Sequence, residues 1–153
     1  MKQSPQEKRI TERMQPGVYS RDGFLGDDRR PLGEILEADR SATEALGVDC
    51  ERIAEGLRSL LERAAAAGGA SVQIGGSLAA EFHEAMGRIP CPFGDGVHPK
   101  GEVCVRDETG RTFHLTPLSI HMIGEHGFFQ GLGSRYRVSP EDCCRLLGFA
   151  PSP

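Results

Sequence analysis

From residue 31 onward the apolar residues fall into a helical period. Leu32, Ile35, Leu36, Ala42 and Leu46 recur at helical spacing, with Pro31 near the start and Gly47 just past the end. Asp49 is a good N-cap for a second stripe made of Ile53, Ala54, Leu57, Leu60, Leu61 and Ala64, which runs out at Gly68 and Gly69. The link through Gly47, Val48 and Asp49 is short. The pattern therefore predicts an antiparallel helical hairpin over 31–67 with its two stripes face to face.

After residue 70 the period shortens. Residues 71–75 read as a strand with Val72 and Ile74 on one face, and Gly75, Gly76 and the N-cap residue Ser77 then predict a helix over 77–87. A strand, a glycine turn and a helix start resemble a phosphate-holding geometry, but the same residues are the ordinary way to turn a chain from strand to helix. Pro90, Pro92 and Pro99 argue against regular structure between 90 and 99.

The clearest local signal comes next. Residues 102–106 and 111–115 alternate around Asp107, Glu108, Thr109 and Gly110, a β-hairpin turn with glycine where φ must be positive. In that register Asp107 pairs with Arg111 and Cys104 lies opposite His114, while Val103, Val105, Phe113 and Leu115 share the core face. Thr116 and Pro117 open a helix over 117–126, stopped by Gly127, and Ser139 caps a last helix over 140–147. Between them 128–134 is a loop, and 135–138 is a further strand candidate.

Residues 1–30 carry few large apolar side chains and several breakers, among them Pro5, Pro16 and Gly17. They read as a polar tail, disordered over its first dozen residues, that becomes an irregular arm docked by Val18, Tyr19, Phe24 and Leu25. The fold expected is α+β: a single compact domain over 31–150, in which the helical hairpin packs with a small, mainly antiparallel sheet in a Cys/His-rich region at 70–150.

Composition narrows the function classes. The 153 residues suffice for one core, and a net charge of −4 with 18 basic and 22 acidic side chains offers no global field for nucleic acid. A helix-turn-helix reading of 31–67 is disfavoured because Glu51, Glu55 and Glu62 sit beside Arg52, Arg58 and Arg63 on its second helix. No signal peptide or membrane span is evident, so the expected location is the cytoplasm and the five cysteines are expected to be reduced thiols. The partner left open is a small molecule or a protein, with a homo-oligomer also compatible.

The candidate chemistry is concentrated. All five histidines lie between His83 and His126, with Cys91 and Cys104 among them. Cys104 and His114 from the hairpin, with Cys91 and His98 from the proline-rich segment, form a candidate metal set, and zinc would accept such ligands. Against it, the short chelating spacings that carry most zinc signatures are missing. Cys104 is equally a small hydrophobe on a half-buried strand, and His114 a polar residue on its wet face. Without a metal, Cys104 and His114 would be a nucleophile–base pair, and His121 with Glu125, four apart on one helix, a candidate catalytic base that makes a hydrolytic site conceivable. His126 is read as a charge partner of the helix C-terminus. Arg135 and Arg137 are candidate ligand-binding residues beside the Gly131–Gly133 loop. The competing class is a non-catalytic adaptor or regulatory module working through the helical hairpin and an exposed Phe128–Phe129 loop.

Overall fold

The computed structural model describes residues 3–149. Five helices and four strands follow in the order α1 Pro5–Arg13, α2 Leu32–Leu46, α3 Cys50–Ala66, β1 Val72–Ile74, β2 Leu78–Pro90, β3 Val97–Arg106, β4 Thr112–Leu115, α4 Pro117–His126 and α5 Pro140–Leu147. The strands form one antiparallel sheet in sequence order, β1-β2-β3-β4. The α+β architecture is the one expected.

The β3–β4 hairpin has the predicted register. Cys104 pairs with His114 and Val105 with Phe113, Gly110 takes φ +89°, and the Asp107 side chain accepts from the amides of Thr109 and Arg111. Val103, Val105 and Leu115 are fully buried and Phe113 nearly so. With Ile74, Leu78 and Ala80 they make the sheet's inner face, and α3 covers it with Ile53, Ala54, Leu57, Leu60 and Ala64.

Three expectations are corrected. Residues 78–90 are a strand, not the helix expected over 77–87. Gly75 and Gly76 both have positive φ and close a hairpin in which Ile74 pairs with Leu78, and Leu78, Ala80 and Phe82 alternate toward the core. The helix formers Ala79, Glu81 and Glu84 lose to long pairing with β3, which is the usual way tertiary context overrides propensity. The proline-rich segment is also more regular than expected. Pro90 pairs with Val97 and Arg88 with Pro99, at an end of the β2–β3 pair that neither β1 nor β4 reaches, so the missing amide hydrogens cost no ladder bond. Only 91–96 is irregular. Residues 135–138 form turns and no strand.

The N-terminal segment is ordered and docked. Ser4 caps α1 and Pro5 sits at its first position, where a proline costs no hydrogen bond, so a residue read as a breaker is a helix start. Ile10 and Met14, four apart, are buried with Phe24, with Leu32 and Ile35 of α2, and with Cys91, Leu118, Met122 and Phe128. This second cluster explains a difference in the helical pair. α2 and α3 are joined at Gly47 as expected, yet their stripes address different clusters: α2 the N-terminal one, α3 the sheet. α4 stands between both, with Leu118 and Met122 on one side and Ile120 and Ile123 on the other. Its remaining narrow face carries His121.

Candidate metal centre

The loop between β2 and β3 closes on itself. The Cys91 amide donates to the Gly96 carbonyl at 2.9 Å and the Gly94 amide to the Cys91 carbonyl at 2.9 Å. Gly94 and Gly96 have φ +88° and +128°, conformations that suit glycine, so the six residues 91–96 can fold back tightly. Cys91 points down into the N-terminal cluster, 1% exposed, while Asp95 rides on the loop's rim. On the other side α4 presents His121 and, from its last position, His126.

Four donor atoms meet there. One ligating atom each of Cys91, Asp95, His121 and His126 lies within 4.8 Å of all the others. The His121 Nε2–H is 3.0 Å from both Asp95 carboxylate oxygens, and the His126 Nε2–H donates to Asp95 Oδ2 at 2.8 Å. Residues five apart on an ideal helix diverge by about 140°. The rings of His121 and His126 are nevertheless 5.5 Å apart, because His126 is the last residue of the helix and Phe93 stacks on it at 4.1 Å and 10°. Phe93 in turn meets Phe128 edge-on at 5.8 Å, which ties the imidazole to the core.

Burial would raise the Asp95 carboxyl, but hydrogen bonds from Cys91, His121 and His126 outweigh it and hold the group well below the usual carboxylate range. Burial, and the hydrogen bond to Asp95, push the Cys91 thiol up to about 12. Alone, Cys91 is therefore no nucleophile at neutral pH. A divalent cation reverses this logic, since it deprotonates a coordinating thiol outright. Tetrahedral zinc, with bonds of about 2.0–2.3 Å, needs donors roughly 3.3–3.8 Å apart. Opening the 2.8–3.0 Å hydrogen-bonded contacts by less than an ångström reaches that spacing. The four residues could hold a metal ion.

The expected residues divide between two places. Cys91 and His121 are in the group, and His98 lies against it, its ring 4.3 Å from that of His121. Burial lowers the pKa of His98, with the charge of His121 adding to the effect. Cys104 and His114 are not in the group: they face each other across the hairpin, six residues or roughly 20 Å along β3 from His98 at about 3.3 Å per residue. His114 Nδ1 is 2.9 Å from Glu102, which also receives Arg135 and the Tyr136 hydroxyl. Burial, then the charges of Glu102 and Glu81, raise the Cys104 thiol, so the pair lacks an activated nucleophile. Glu125 is exposed on α4, and His121 turns to Asp95 instead.

Arg137 is a structural residue. It makes two 2.9 Å bonds to the Asp39 carboxylate and one of 2.8 Å to the Gln130 carbonyl, binding the 130s loop to α2. The neighbouring glycines serve packing: a Cβ on Gly131 would collide with the Leu25 backbone, and one on Gly133 would come within 2.9 Å of the Asp27 carboxylate. That loop receives an acidic arm and is no anion cradle. Phe128 and Phe129 are 0% and 1% exposed, in the N-terminal and sheet clusters respectively, so no aromatic docking loop is displayed.

Sequence reasoning missed Asp95 and misassigned His126, expected to point elsewhere as a helix-end charge. The signal for Asp95 was its place between glycines, four residues after Cys91, in a loop bracketed by strands. A cleft of about 660 Å³ between residues 20–27, the β2–β3 arm and the 130s loop has Glu102 and Arg135 on its wall but none of the four donors. No protein-family model matches the chain, and neither a curated protein nor a solved structure does. Among the described residues no helix is long and apolar enough to cross a membrane.

Proposed function

We propose that this is a cytosolic zinc-binding protein whose metal is held by Cys91, Asp95, His121 and His126. The observation that carries the reading is the convergence of four donors of three chemical types from two separate elements, within 4.8 Å of one another. A thiolate, a carboxylate and two imidazoles suit zinc better than calcium or magnesium, which take oxygen donors. A reducing compartment would keep Cys91 available as a ligand. The metal would fasten the 91–96 loop to the end of α4 beside the N-terminal cluster, where Arg13 of α1 donates to the Pro92 carbonyl at 3.0 Å.

Metal content of the purified, untagged protein, measured by plasma mass spectrometry, tests this. One equivalent of zinc is expected in the wild type, falling to background in Cys91→Ala and in His121→Ala. A wild type without metal that also fails to take up added zinc would refute the reading.

A further inference from the structure

His98 has an atom with nothing to do. Its Nε2 is shielded from solvent and has no hydrogen-bond partner among the described residues. A buried polar nitrogen without a partner is costly, and each such case calls for an explanation. His98 stands outside the donor group but beside it, tilted 38° against the His121 ring. A Cβ on Gly96 would stand 3.7 Å from Nε2, an ordinary contact that would cover the atom on the loop side. Glycine at that position leaves the loop side of Nε2 without a side chain.

The four donors are unequally sheltered. Cys91 is 1% exposed, and the side chains of His121, His126 and Asp95 are 17%, 21% and 39% exposed. Asp95 is thus the outer donor, and a small group could reach the metal from that side.

We propose that the metal keeps one exchangeable position, occupied by water or by a small anion that displaces it, and that His98 Nε2 hydrogen-bonds the ligand bound there. The proposal rests on the metal reading given above. Cys91 thiolate and Asp95 already neutralise a divalent ion, so the pull on a further anion is weak and the resident ligand is water. His98 acts as a positioning residue: it touches the incoming ligand and leaves the metal to its four protein donors. Either tautomer serves, since a protonated Nε2 donates to an anion and an unprotonated one accepts from water.

Cobalt(II) takes the same nitrogen, oxygen and sulfur donors as zinc and reports its coordination in the visible spectrum. The experiment loads the full chain with cobalt(II), then titrates azide into the wild type, His98→Ala and His98→Gln, with cobalt uptake of each measured first. The expected result is a saturable change of the visible bands in the wild type, about tenfold weaker azide binding in His98→Ala, and partial recovery in His98→Gln. Bands that do not respond to azide, in a protein that does bind cobalt, would show a closed site and overturn the proposal while leaving the metal reading intact. An equal response in wild type and both variants would remove His98 from it. If the wild type takes up no cobalt at all, the metal reading fails as well.

Discussion

Two cysteine–histidine pairs lie in this molecule, and they meet different fates. Cys104 and His114 face each other across a regular hairpin, where strand register brings side chains together two at a time. His114 settles on Glu102, and Cys104 remains a half-buried thiol. Cys91 and His121 meet where a tight loop rests against a helix end, and there Asp95 and His126 join them. A ladder can place a pair accurately but cannot wrap around a point. A loop that reverses over six residues, set against a helix, can surround one.

Substitution separates the two groups most sharply. Asp95→Ala or His126→Ala should lower bound zinc from one equivalent to a small fraction, while Cys104→Ala and His114→Ala should retain the full equivalent; plasma mass spectrometry on matched preparations reads both. Retention in the first set or loss in the second would reverse the assignment.

Thiol reactivity in the chelated protein comes next. With iodoacetamide at pH 8, Cys104 should be alkylated on the order of tenfold faster than Cys91, because Cys91 is more deeply buried and that burial pushes its thiol up to about 12. Cys91 labelling should climb about tenfold per pH unit from 8 to 10, since the thiolate fraction rises in proportion to hydroxide below the pKa. Peptide mass spectrometry gives both rates, and equal rates would mean that the 91–96 loop opens freely without metal.

Chelation should lower the melting temperature of the wild type by roughly 5–15 °C, the stabilisation expected of a ligand present at 100–1,000 times its dissociation constant. Cys91→Ala should melt at one temperature with or without chelator. The smallest effect belongs to the hairpin: His114→Ala should cost below about 1 kcal/mol in urea unfolding, because its contact with Glu102 is partly exposed and Glu102 keeps Arg135 and Tyr136. A loss of several kcal/mol there would mean that the hairpin group matters more than its geometry indicates.

The same contrast explains what could be read in advance. Elements fixed by local rules were legible: the β3–β4 register, the caps at Asp49, Thr116 and Ser139, and the stops at Gly47 and Gly127. β2 was misread because its helix formers outweighed a weak alternation, and only pairing with β3, which is not local, decides the matter. α1 was missed because its one buried residue, Ile10, with Met14 at its C-cap, makes too sparse a stripe to stand out. The site was half legible. Cys91, His98 and His121 belong to residue types that attract attention anywhere, whereas Asp95 between two glycines looks like any turn residue. His126 was set aside by helical-wheel angles that a terminal residue, held by the Phe93 ring, need not obey.

The most direct test of the central claim is X-ray absorption at the zinc edge of the zinc-loaded protein. One sulfur at about 2.3 Å and three nitrogen or oxygen neighbours at about 2.0–2.1 Å are predicted, with a further light neighbour if an exchangeable ligand is bound. A shell without sulfur, or one with two sulfurs, would contradict the assignment, because Cys91 is the one thiol in the group.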